Sequence, residues 1–275
     1  MLIKLLKYEF KFTGRSLLPI YAALLVLTVL MNLGDGMRFG FNNAGMFEGF
    51  FKTMLIFTYS CVISAVCIIT VVLLVQRFYK NLLRDEGYLM HTLPVSAAQN
   101  IASKLICAVV WSVVSLLVAG LSLLFISMTF SNWQQFFDGL ADFIHDLNVA
   151  FGIHWPLFAL ETLALVLLAL ASSIVEVYLA LAIGHIANNH KIACSIGAFI
   201  GLKVLSGLIG QLLGHGIVNW HWLNDFFQNF FYGSLHEQIA GIHMMLLGML
   251  AVSLIYTGVM FVATNWIMKN KLNLE

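Results

Sequence analysis

The stretch Thr53–Gln76 reads TMLIFTYSCVISAVCIITVVLLVQ, 24 residues without a single charged side chain. About 18 or more consecutive apolar residues cover a hydrocarbon core of about 30 Å when helical. In lipid the backbone must satisfy its own hydrogen bonds, so such a run is a helix. The short alternating segments of a membrane β-barrel are absent from the chain.

Five more runs of this kind lie on either side: Ser16–Leu33, Leu105–Phe130, Pro156–Ala187, Ile192–Gly214 and Met244–Met268. Composition agrees with them. The 275 residues are 61% apolar or aromatic and only 10% charged, against about 25% charged in soluble domains. A net charge of +1 gives no electrostatic footprint for nucleic acid, and so much apolar surface excludes disorder. The expected fold is all-α and integral to a membrane, one transmembrane domain over 1–275 with six spans. Cys61, Cys67, Cys107 and Cys194 fall inside apolar runs. They read as small buried hydrophobes, with no disulfide framework and no zinc spacing.

Basic residues set the expected direction. Lys4, Lys7, Lys11, Arg15, Arg77, Lys80, Arg84, Lys104, Lys191, Lys269 and Lys271 fall on one side, 11 of the 14 in the chain. By the positive-inside rule both termini are expected in the cytoplasm. The region before the first span is too long and patterned for a cleaved signal peptide. Lys4, Lys7, Lys11 and Arg15 form one helical stripe, with Leu2, Leu5, Leu6, Phe10 and Phe12 roughly opposite. This predicts an amphipathic helix over 1–15 on the anionic leaflet. Glu9 falls on its apolar side, as a snorkelling carboxylate or as one half of an ion pair with a neighbouring subunit.

The 77–104 connection reads RFYKNLLRDEGYLMHTLPVSAAQNIASK. A basic continuation of the second span leads to Asp85-Glu86-Gly87, an apolar piece Tyr88-Leu89-Met90, and Pro94. Ser96 is placed to cap the helix that enters the third span. Exposed apolar residues between charges suggest a docking surface; the alternative is a segment that folds back and closes the connection. On the far side, Asp138, Asp142 and Asp146 fall at i, i+4 and i+8 among aromatics, which predicts an interfacial helix within 131–155. The aromatic-rich 215–243 segment predicts short re-entrant or interfacial helices.

Charges at membrane depth are costly and mark candidate function. Three occur, Glu161, Glu176 and Lys203. Spans four and five form a hairpin about Asn188, Asn189 and His190. Glu176 and Lys203 each lie about 13 residues from that turn, hence at about the same depth by helical rise. An ion pair between them is expected, with lining of a pathway for an acidic cargo as the alternative role for Lys203. Gly197/Gly201 and Gly210/Gly214 form two GxxxG spacings, read as close helix packing or as a smooth cavity wall. Walker A, H-E-x-x-H and G-x-S-x-G motifs are all missing, so no catalytic residue is assigned and the chain is not read as an enzyme. His145, His154, His215, His221, His236 and His243 gather on the outer side without metal-specifying spacing.

These features resemble the membrane subunit of ATP-binding-cassette transporters of the ABC-2 permease type. The matching parts are an N-terminal elbow helix (Lys4–Arg15), six spans with both ends inside, re-entrant structure before the last span, and D-E-G-Y-L-x-x-T-L-P-V-S over 85–96, similar to the coupling loop of such permeases in Gram-positive bacteria. The resemblance implies an ABC-2 (type V-like) exporter fold in a bacterial cytoplasmic membrane. It implies two permease subunits, a homodimer in preference to a heterodimer, each docked by a separate ATPase subunit that holds ATP and Mg, with no cofactor in this chain. Glu86, Tyr88, Leu89, Met90 and Leu93 would touch the ATPase. Phe57, Tyr59, Ser60 and Ser64 on span two, with Phe199, Lys203 and Ser206 on span five, would line the pathway. The cargo implied is an amphipathic peptide or a drug, as for the phenol-soluble-modulin exporters of staphylococci. The competing class is a stand-alone secondary transporter or channel using Glu176 and Lys203.

Overall fold

The computed structural model describes residues 2–36, 45–83, 96–127, 133–187, 190–218 and 233–270. Among these residues every element is helical and no strand occurs. The helices are α1 (Leu2–Gly36), α2 (Gly45–Phe78), α3 (Ala97–Ser127), α4 (Trp133–Phe151), α5 (Trp155–Gly184), α6 (Lys191–Val218) and α7 (Leu235–Asn270). A π-helical turn, Tyr79–Leu83, prolongs α2, and a 3₁₀ turn, Gly152–His154, joins α4 to α5. Among the described residues six helical segments are long and apolar enough to cross a membrane.

Several boundaries differ from the sequence reading. Residues 2–15 are the first turns of α1 and not a separate element, and the helix continues through Pro19. Proline inside a helix is tolerated in membrane proteins because neighbouring groups satisfy the carbonyl it frees. The last helix begins at Leu235, nine residues before the expected Met244. Its start carries the carboxylate half of a capping box: Glu237 Oε2 accepts hydrogen bonds from Ser234 N at 2.7 Å and from Ser234 Oγ at 2.9 Å. The S-x-x-E spacing of Ser234 and Glu237 was the sequence signal for that start. Residues 219–232 of the expected re-entrant region lie outside the described residues. The fourth expected span, Pro156–Ala187, is α5 alone, and α4 precedes it with no buried side chain.

The chain divides into two compact units. The first comprises residues 1–77 and 102–143. Its core is a seam of α1, α2 and α3. Leu17, Tyr21, Leu24 and Thr28 of α1 are buried, as are Tyr59, Val66, Thr70 and Leu74 of α2 and Cys107, Ala108, Trp111, Ser115 and Ser122 of α3. The α1 residues recur at i, i+4, i+7 and i+11, and Val66, Thr70 and Leu74 of α2 at i, i+4 and i+8, so each set lies on one face. Hydroxyls bind the seam together. Tyr21 Oη lies 3.2 Å from Thr70 Oγ1, Ser115 Oγ donates to Thr70 Oγ1 at 3.4 Å, and Tyr59 Oη donates to Ser122 Oγ at 2.9 Å. At the start of α4, Trp133 meets Phe125, Phe136 and Phe137.

The second unit comprises residues 78–101 and 144–275. Here α5 is the central helix, packed on both α6 and α7. Phe78 stacks on Tyr178 with ring centres 3.7 Å apart, and Tyr79 meets the His185 ring edge-on. The α5–α6 turn places His190 in the left-handed region, φ 58°. Beyond it the two helices cross at Gly184. A methyl group on Gly184 would fall 2.6 Å from Ser195 Cα, so only glycine fits. Gly197, Gly201, Gly207 and Gly210, by contrast, have open space where a Cβ would stand. Close packing thus occurs at Gly184 and not at the GxxxG glycines where it was expected: Gly197, Gly201 and Gly210 meet no neighbour among the described residues. Only 6% of the apolar stretch of α6 is buried. Ile192, Ile196, Ile200, Val204 and Leu208 are all exposed along it, a contiguous apolar surface that soluble monomers rarely carry.

Candidate functional site

Polar groups on the candidate membrane-spanning helices gather in three clusters. The first is in the first unit. The Glu9 side chain is 5% exposed, and its two oxygens are divided between two helices. Arg77 Nε, at the end of α2, donates to Oε2 at 2.5 Å, and Lys104 Nζ, in α3, donates to Oε1 at 2.8 Å. The Arg77 guanidinium also lies over the Phe12 ring, 4.1 Å from its centre. One turn along α1, Cys107 Sγ is 3.8 Å from Thr13 Oγ1. Glu9 is thus neither snorkelling nor reserved for a neighbouring subunit. Its helical face continues into Thr13, Leu17 and Tyr21, the buried face of α1, so its carboxylate needs cations from within this chain.

The second cluster unites three helices in the second unit. Glu176 of α5 is buried, and its Oε2 pairs with Lys203 Nζ of α6. Its Oε1 accepts a hydrogen bond from Tyr256 Oη of α7. Lys203 is half exposed and also lies 5.6 Å from the centre of the Phe199 ring. Ser206 Oγ donates to the Lys203 carbonyl at 3.0 Å. Phe199, Lys203 and Ser206 therefore share one face of α6, at i, i+4 and i+7. Tyr256 was not singled out from sequence. Its signal was depth: it precedes the end of α7 at Asn270 by about the distance that separates Glu176 from the α5–α6 turn.

The third cluster involves the other intramembrane carboxylate. Glu161 of α5 is buried, and His243 Nδ1 of α7 lies 2.9 Å from its Oε2. The His243 ring stacks on Phe158 at 4.0 Å and meets His154 at 5.7 Å. The spacing of the outer histidines did not single out this pair. Among the described residues no three His, Cys, Asp or Glu side chains gather to hold a metal.

The candidates on α2 separate by face. Phe57, Ser60 and Ser64 are exposed, at i, i+3 and i+7, and Ser64 Oγ donates to the Ser60 carbonyl at 2.9 Å. Tyr59 is turned the other way, buried against Ser122, so it does not share a surface with the other three. Cys61 and Cys194 lie exposed rather than buried. Glu86, Tyr88, Leu89, Met90 and Leu93 lie outside the described residues. Immediately after them, Ser96 Oγ accepts a hydrogen bond from Gln99 N at 3.3 Å, the cap expected for α3.

Described residues that form helices and no strand, six segments long and apolar enough to span a bilayer, and charges paired between those segments are the characteristics of a multi-pass membrane protein. No family model matches the chain, and neither a curated protein nor a solved structure matches it.

Proposed function

We propose that this chain is the membrane subunit of an ATP-binding-cassette exporter of the ABC-2 type. A separate ATPase subunit powers it by gripping Glu86, Tyr88, Leu89, Met90 and Leu93. The observation that carries the reading is the stretch Asp85–Ser96, D-E-G-Y-L-x-x-T-L-P-V-S, set between two long apolar helices. A short apolar piece flanked by charges is suited to docking a partner. The lack of a Walker A sequence fits a division of labour in which another subunit binds ATP and Mg.

In this reading both termini and the 84–95 segment face the cytoplasm of a bacterial cell. A second copy of the chain covers the open Gly197–Gly201 face of α6. The exposed residues Phe57, Ser60 and Ser64, with Phe199, Lys203 and Ser206, border the route of an amphipathic peptide or drug that enters from the lipid. Tyr59 stands behind that surface as support for α3.

Purification of the tagged chain from its native membrane, probed for a co-purifying ATPase that carries a Walker A sequence, tests the reading. The native chain is expected to hold the ATPase and to alter its ATP turnover in proteoliposomes, and Tyr88→Ala with Leu89→Ala to lose both. Undiminished association and turnover in the double variant would remove the docking claim. A second reading, a stand-alone carrier or channel, is favoured by the Tyr256–Glu176–Lys203 cluster alone. It requires gradient-driven solute movement by the purified chain in liposomes without nucleotide, which the exporter reading excludes.

A further inference from the structure

The Glu9 cluster has a placement that helix packing alone does not require. Arg77 and Lys104 stand at the two roots of the connection that carries Asp85–Ser96, and a single carboxylate on α1 contacts both. We propose that Glu9 is a positioning residue that locks α1 to both roots of this connection, so that displacement of the connection carries α1 with it. The inference rests on the docking role given above to Tyr88 and its neighbours.

The physical argument concerns stiffness. Apolar side chains can slide to an equivalent neighbour at little cost, because the hydrophobic effect is non-directional. A buried carboxylate held by two cations cannot do so, since separating either pair removes one of the two cations that balance the buried Glu9 charge. The three side chains are 5%, 14% and 4% exposed, for Glu9, Arg77 and Lys104, so water is poorly placed to take over. Further contacts continue the same junction along α1. Phe12 underlies the Arg77 guanidinium, Trp111 of α3 meets the rings of Phe10 and Tyr21, and a methyl group on Gly14 would approach Trp111 to 3.1 Å. Those contacts keep the helices together when the charge is removed. Glu9→Gln therefore tests the lock without requiring the fold to survive on it alone.

The experiment uses the full chain with its ATPase in nanodiscs, spin-labelled at Ser16 of α1 and Ile106 of α3, both on exposed faces. With Glu9 intact, the distance between labels is expected to be the same without nucleotide and after trapping with ATP and vanadate. In Glu9→Gln the ATPase still co-purifies, and trapping is expected to change the distance by about 2 Å or broaden it, the scale of helix shifts in such transitions. An unchanged distance in Glu9→Gln would overturn the proposal while leaving the docking reading intact. Failure of the ATPase to bind the Glu9-intact chain would remove both. Should Glu9→Gln not accumulate, Lys104→Met serves instead, since it removes one of the two cations and leaves the Glu9–Arg77 pair. Trapping is expected to change its label distance as well, and a folded Lys104→Met chain whose distance does not change also overturns the proposal.

Discussion

His243 Nδ1 lies 2.9 Å from Glu161 Oε2, a contact across 82 residues of chain. The Tyr256 hydroxyl reaches Glu176 across 80. Two contacts at nearly one offset mean that α5 and α7 run parallel and in register between them, over about 20 Å at the helical rise. Each carboxylate of α5 thus has its own partner on α7, and only Glu176 also has a lysine.

Removal of the imidazole should cost stability. His243→Ala leaves the Glu161 carboxylate buried without its partner, at a cost of about 1.5–3 kcal/mol for a hydrogen bond to a charged group. His243→Gln can still reach the carboxylate and should lose less. Thermal unfolding in detergent, read by circular dichroism, separates the two. Equal melting of both variants would mean that the contact contributes nothing.

The Glu176–Lys203 pair should show coupling. Lys203 is half exposed, so the pair resembles neither a buried salt bridge nor a solvated one. Polar contacts between membrane helices contribute about 1 kcal/mol. A double-mutant cycle of Glu176→Gln and Lys203→Met is expected to return a coupling energy of about that size, and strictly additive losses would sink the pair. Tyr256→Phe should weaken the same cycle, because it removes the hydroxyl from the other oxygen.

Glycines should respond in opposite directions. Gly184→Ala drives a methyl into the Ser195 backbone, and overpacking of this kind costs about 1–3 kcal/mol. Gly197→Ala and Gly201→Ala add a methyl in open space and gain up to about 1 kcal/mol of helix propensity. Melting temperatures of the monodisperse monomer give the order. A Gly184→Ala variant as stable as Gly197→Ala would refute the close crossing of α5 and α6.

The sequence by itself determined the helices. Runs such as Thr53–Gln76 and Leu105–Phe130 are too apolar for any other structure, because unsatisfied backbone groups in lipid are prohibitive. It also gave depth: helical rise places Glu176 and Lys203 level with each other, and they are in contact. It contained the Ser96 cap and the Ser234–Glu237 capping box, since caps are read from adjacent residues. Only the tertiary structure decided azimuth, which side of each helix meets which neighbour. Arg77 and Lys104 lie 68 and 95 residues beyond Glu9, and no local spacing selects them. Tyr59 faced inward while Phe57 faced out, and Gly184 rather than Gly197 met the next helix. In lipid most faces of an apolar helix look alike, so position along the axis follows from counting residues, whereas rotation about the axis is fixed by the few polar and small side chains that find partners on another helix.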